Sequence, residues 1–194
     1  MYSAEIEKAI QAACVLHDGQ TRKGPGCIPY VSHVFSVFAL VTDYTNNHDT
    51  AAAALLHDTL EDTSYTSEAM EEDFGKTVTA IVLSLSEEKS IEDWDKRKKD
   101  YLSKVKKGGE AAMLISAADK IHNMRSMIEQ YHNDIPGFMA TFARYHTKGL
   151  VFLQKLSNLL NASLKNDIVH EFNHVFAEFK KFNEHVDQYQ KENS

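Results

Sequence analysis

The stretch His57-Asp58-Thr59-Leu60-Glu61-Asp62 carries four side chains able to bind a metal or move a proton. It follows Ala51-Ala52-Ala53-Ala54-Leu55-Leu56, a run that reads as helix. In a helix from Asp49 to Glu61, His57 and Glu61 lie one turn apart, and so do Asp58 and Asp62. At about 100° per residue all four share one side. Leu55, Leu56 and Leu60 then point away from them and anchor the helix in a core. A buried polar cluster of this kind costs stability unless something satisfies it. A divalent metal would do so, and the chemistry to expect is metal-assisted hydrolysis.

Two further candidates stand apart in the chain. His33 opens an apolar helix in Tyr30-Val31-Ser32-His33, and Asp119 is embedded in Leu114-Ile115-Ser116-Ala117-Ala118-Asp119. An ionised aspartate inside an apolar run is unusual unless it is paired. Together His33, His57, Asp58 and Asp119 make a set of two imidazoles and two carboxylates. Such N/O donors without thiolate suit Mn²⁺, Fe²⁺ or Zn²⁺ better than a structural zinc site. Each signal is weak alone. A single histidine on an apolar helix is ordinarily a packed residue, and an aspartate such as Asp119 can simply pair with a lysine or arginine. The His-Asp pair itself recurs at His17-Asp18 and His48-Asp49. Context has to separate them.

The elements that position these residues read as helices. The 194 residues include only three prolines and eight glycines, and the apolar positions repeat with helical period. Helices are expected at Ser3–His17, from Tyr30, at Asp49–Glu61, from Ser67 to Phe74-Gly75, and from Lys76 to Leu85. A charge-rich helix pinned by Trp94 and Tyr101 ends at Lys107-Gly108-Gly109. A strong helix runs from Ala111 to Tyr131, Pro136-Gly137 breaks the chain, and helices follow over 138–160 and 164–189. Gly19 to Pro29 is a loop. One all-α domain over 1–189 is expected, with Gln190–Ser194 as a disordered tail. The net charge of −7 argues against nucleic-acid binding, so an anionic substrate needs a local basic pocket. Two cysteines, no signal-peptide pattern and no apolar stretch near about 20 residues point to a cytoplasmic protein without a membrane span. Oligomeric state is not legible.

The context that singles out His57-Asp58 is an ordered set of motifs: Gly19-Gln20-Thr21-Arg22-Lys23, Pro29-Tyr30-Val31-Ser32-His33, His57-Asp58-Thr59-Leu60-Glu61-Asp62-Thr63, and Ala118-Asp119-Lys120-Ile121-His122-Asn123-Met124-Arg125. The chain resembles the HD-domain phosphohydrolases, within them the (p)ppGpp hydrolase branch. That branch holds the Rel/SpoT hydrolase domains and the Mesh1-like small alarmone hydrolases. Trp94 to Tyr101 resembles a helix of the stand-alone enzymes. The resemblance implies a single-domain HD helical bundle and a (p)ppGpp 3′-pyrophosphohydrolase. His33, His57, Asp58 and Asp119 would hold the metal, Mn²⁺ in this family. Glu61 and Asp62 would position or deprotonate the attacking water. Arg22, Lys23, Lys120, Asn123 and Lys148 would bind the small nucleotide, with Lys98 a further cation.

There are departures. Val34 replaces the proline that often follows the metal histidine, and the loop after Lys23 is long. The late basic residue and tyrosine expected four apart are here Lys148 and Phe152, so a hydroxyl is missing. Two alternatives follow: an HD phosphatase of another nucleotide, such as NADPH, or a module that only senses a nucleotide. Intact Glu61 and Asp62 argue against the second. His170-Glu171-Phe172-Asn173-His174 matches the zinc-protease pattern H-E-x-x-H. Its helix buries Phe172, Val175, Phe176 and Phe179 on the opposite side, so the pattern reads as a surface pair.

Overall fold

The computed structural model describes residues 3–24, 26–142 and 146–193. Pro25, Ser194 and residues 143–145 of the expected 138–160 helix lie outside them. The described residues form an all-α bundle of α1 (Ala4–Leu16), α2 (Val31–Tyr44), α3 (His48–Leu56), α4 (Thr59–Asp62), α5 (Ser67–Leu85), α6 (Trp94–Lys107), α7 (Gly109–Asn133), α8 (Ile135–Phe142), α9 (His146–Ser163) and α10 (Ile168–Glu192). None of these helices is long and apolar enough to cross a membrane.

Two helices form the centre. Every residue of α3 from Thr50 to Leu56 is buried, and its run of alanines lets α1, α2 and α5 approach closely. The long helix α7, with its unbroken buried run Ala112–Asp119, packs against α2, α5, α6 and α10. Burying Leu55, Leu56, Leu114 and Ile115 removes four large side chains from water, each worth about 1.5–3 kcal/mol. Side-chain caps set the starts: Ser3 accepts from the Ile6 amide, Thr66 from Ala69 and Asp93 from Lys96.

The helix expected over Asp49–Glu61 is broken at His57-Asp58. His57 Nδ1 donates to the Ala54 carbonyl and Thr59 Oγ1 to the Leu56 carbonyl. These side chains compete for the acceptors that would carry the helix onward. Asp58 then starts α4, its carbonyl accepting from the Glu61 and Asp62 amides. A second difference concerns Pro136-Gly137, which lies in the first turn of α8 instead of breaking the chain before it. Asp134 Oδ1 accepts from the Gly137 amide, and proline is well suited to an opening turn. The stretch 138–160 is accordingly shared between α8 and α9. Residues 190–192, assigned above to a tail, continue α10.

Gly75 joins the two expected pieces of α5 through a kink at φ 80°, ψ 169°. This conformation is essentially closed to residues with a Cβ. A Cβ there would meet no atom within 4 Å, so the cost of adding one is purely conformational. Gly75→Ala is expected to lower unfolding stability by about 1–3 kcal/mol. An unchanged urea midpoint would contradict this reading.

Candidate active site

The elements bring His33, His57, Asp58 and Asp119 to one place. His33 comes from the first turn of α2, His57 and Asp58 from the α3–α4 break, and Asp119 from α7. His33 and His57 are buried. His33 Nε2 lies 3.3 Å from Asp119 Oδ1 and 3.6 Å from Asp58 Oδ2. Asp58 Oδ2 is 3.1 Å from His57 Nε2. One donor atom each from His33, His57 and Asp58 fall within 4.8 Å of one another. Neighbouring ligands about 2.1 Å from one cation stand about 3 Å apart, and opposite ligands about 4.2 Å.

Hydrogen bonding tests whether these residues fit a cation. His57 Nδ1 donates to a carbonyl, which leaves Nε2, with its lone pair whenever the ring is neutral, as the nitrogen turned to the cluster. The Asp58 oxygen lies off the direction of a ring N–H, so the buried Nε2 has no hydrogen-bond partner. A lone pair beside a carboxylate needs a positive centre between them. The donor set therefore fits a divalent metal. Tyr30 Oη donates to Asp58 Oδ2 at 2.5 Å, while Asn123 Nδ2 and Lys120 Nζ each hold an oxygen of Asp119 at 2.5 Å.

The charges interlock. Burial opposes ionisation of Asp58, but His57 more than offsets it and holds the carboxyl well below the usual range. Burial likewise opposes charge on Asp119, and Lys120 with His33 outweighs it. Burial works against His57 too, yet Asp58 and Asp119 raise its pKa to about 9. Burial keeps His33 below the ordinary histidine value. A proton and a cation therefore compete at His57 Nε2. The affinity for Mn²⁺ should climb by up to about tenfold per pH unit and level off above about pH 9. Titrations that give one affinity at all pH values would contradict this.

Glu61 and Asp62 stand beside the cluster. Glu61 Oε2 accepts from the Glu87 amide at 3.0 Å, and Lys89 Nζ lies 3.3 Å from Asp62 Oδ1. Burial raises the Glu61 pKa, opposed by the Glu87 amide and reinforced by the carboxylates of Glu87, Asp58 and Asp62. All four cluster residues, Glu61, Asp62, Lys120 and Asn123 line a cavity of about 180 Å³. A chamber of about 850 Å³ adjoins it, and Tyr30, Asp62, Lys120 and Asn123 line both. Arg22, Lys23, Lys98, Lys120 and Lys148 make the chamber cationic, while Phe138, Phe179, Phe182 and Leu153 wall its far side. This is the basic pocket that an acidic protein needs for an anionic ligand. All twelve residues given a site role in the sequence, Lys98 included, line one cavity or the other.

A model of the HD domain matches residues 9–141. The chain belongs to the HD-domain family. This HD domain is 35% identical over 127 residues to a Drosophila melanogaster guanosine-3′,5′-bis(diphosphate) 3′-pyrophosphohydrolase, MESH1, spanning 64% of this chain and 70% of that one. It is 33% identical over 129 residues to the bifunctional (p)ppGpp synthase/hydrolase SpoT of Escherichia coli, covering 63% of this chain and 18% of that protein. The solved structure of a metazoan SpoT ortholog that hydrolyses ppGpp superposes with a TM-score of 0.76 at 26% identity, over 92% of this chain and 97% of that one.

Other motifs of this HD domain lie elsewhere. His17 is buried at the end of α1 and bonded to Gln20, and His48 is exposed at the start of α3. In the H-E-x-x-H stretch, His170 and His174 are exposed, and Glu171 ties α10 to Tyr44 and Arg125. Arg22 is fixed by the closed base of its loop, where its amide donates to the Ile28 carbonyl. Its Nη2 reaches Asn123 Oδ1 at 2.9 Å. Of the lysine run, Lys96 and Lys99 are exposed, while Arg97 and Lys98 turn inward to Glu87. Phe152 offers a ring face to the Lys98 ammonium, 4.9 Å from its centroid. Tyr30 and His122 touch the cluster, although sequence reasoning gave them no role. Their spacing of three from His33 and from Asp119 was the available signal.

Proposed function

We propose that this HD domain is a Mn²⁺-dependent (p)ppGpp 3′-pyrophosphohydrolase. The observation that carries the reading is the junction of the two cavities. An imidazole–carboxylate cluster with an adjacent high-pKa carboxyl opens directly into a cationic, aromatic-walled chamber. Relatives with this named activity support it. His33, His57, Asp58 and Asp119 would hold the metal; their N/O donor set without thiolate admits Mn²⁺, the ion that the family resemblance implies. When bound, it supplies Lewis acidity toward water and a phosphoryl oxygen.

The rest falls to the side chains. Glu61 takes the proton of the attacking water, a task its raised pKa suits. Asp62, at the junction, orients that water. The water oxygen bonds to the phosphorus on the ribose 3′ oxygen, the bond to O3′ breaks, pyrophosphate leaves, and O3′ gains a proton. Lys120, held on Asp119 at the same junction, offsets charge on the reacting phosphate. Arg22, Lys23 and Lys148 bind the nucleoside and the remaining phosphates, and Asn123 fixes Arg22.

One observation favours a second reading. Phe152 lines the chamber where the resemblance implies a tyrosine, so one hydroxyl that would bind ppGpp phosphate is missing, and another nucleotide such as NADPH is the second reading. Turnover of ppGpp and NADPH compared at equal concentration with Mn²⁺ separates the two. Pyrophosphate from ppGpp at the higher kcat/KM supports the first; orthophosphate from NADPH at the higher kcat/KM supports the second.

A further inference from the structure

His122 has no part in the roles assigned above, yet its ring packs against a member of the cluster. Its Nδ1 is 2.8 Å from His33 Nδ1, and the ring centroids are 4.7 Å apart. It follows Asp119 by three residues on α7, so one helix face presents both side chains to His33.

Two ring nitrogens in such contact share one proton, and one of them must accept. On the far side of the ring, His33 Nε2 faces Asp119 at 3.3 Å and Asp58 at 3.6 Å. If His122 donates, His33 carries its own proton on Nε2, offers it to Asp119, and cannot ligate. If His33 Nδ1 donates and His122 accepts, the Nε2 lone pair is free to face the cluster. The two arrangements hold equal numbers of protons: His122 keeps its one on Nε2 in the second and on Nδ1 in the first.

The second imidazole has this choice made by the backbone. His57 Nδ1 bonds the Ala54 carbonyl, which can only accept. His33 does not use that option: the equivalent carbonyl, of Tyr30, accepts from the His33 amide at 2.9 Å, while the ring Nδ1 faces His122 Nδ1 at 2.8 Å. A side chain serves instead.

We propose that His122 is a positioning residue that accepts the His33 Nδ1 proton, fixes the ligating tautomer of His33, and thereby sets the affinity of the cluster for its cation. The inference rests on the reading of His33 as a metal ligand.

Mn²⁺ titration of the 194-residue protein, followed calorimetrically, tests it. His122→Leu removes the acceptor and should weaken Mn²⁺ binding about 10–100-fold. His122→Asn keeps an acceptor near the Nδ1 position and should bind within a few-fold of the parent. The metal-free melting temperatures of the two variants should agree. His33→Ala is the control for the ligand reading and should lose the tight Mn²⁺ site. If His122→Leu binds like the parent while His33→Ala does not, the positioning role is wrong and the ligand reading stands. If both His122 variants lose affinity equally, packing alone explains the ring and the role is also wrong. If His33→Ala binds like the parent, the ligand reading itself fails.

Discussion

Asp58→Ala is expected to lose the tight Mn²⁺ site and to cut kcat/KM for ppGpp at least about 10³-fold, equivalent to about 4 kcal/mol. Asp58 Oδ2 is the atom that both imidazoles face, at 3.1 Å from His57 and 3.6 Å from His33. Without it two buried rings remain beside Asp119, already engaged by Lys120 and Asn123. The fold should survive. Asp58 sits in the turn between α3 and α4, its side chain makes no cap bond, and its carbonyl keeps accepting from the Asp62 amide. The melting temperature should shift by no more than about 2–4 °C, as expected for a change near 1 kcal/mol in a chain of this size. Parent-like Mn²⁺ affinity and turnover in a folded Asp58→Ala protein would contradict the metal assignment.

Glu61→Gln should behave differently. Glutamine retains an oxygen to accept from the Glu87 amide, so the side chain stays in place. What it loses is the capacity to take up a proton. Mn²⁺ affinity should be unchanged and KM nearly so, while kcat falls about 10²–10⁴-fold. The parent enzyme should also lose activity as pH falls through the raised pKa of Glu61, because a protonated carboxyl cannot act as a base. That acid limb should be absent from the Glu61→Gln profile. Unchanged kcat would remove Glu61 from the chemistry, and lost Mn²⁺ binding would make it a ligand instead.

The helical fold was legible because few breakers interrupt long periodic patterns, and the alanines of α3 and the apolar run of α7 mark the two central helices plainly. The candidate site was legible through motif order: His17-Asp18, His48-Asp49 and His57-Asp58 are equivalent as pairs, and only the last has acidic residues one turn on. The break at His57-Asp58 escaped the helical pattern because it depends on side chains taking backbone acceptors from within. Pro136 reads as a breaker until Asp134 is known to cap the turn that contains it. The roles of Tyr30 and His122 were hidden for another reason. Each acts through contact with a residue distant in sequence, Tyr30 with Asp58 and His122 with His33; the spacing of three from His33 and from Asp119 marks a shared helix face but does not name the distant partner.

The most direct test follows both products of ppGpp turnover by the purified protein in Mn²⁺. The expected result is one pyrophosphate and one GDP per ppGpp consumed, with release halted by a chelator and restored by added Mn²⁺. Turnover that persists undiminished in chelator, or a folded, Mn²⁺-loaded protein that releases no pyrophosphate from ppGpp, would contradict the proposed function.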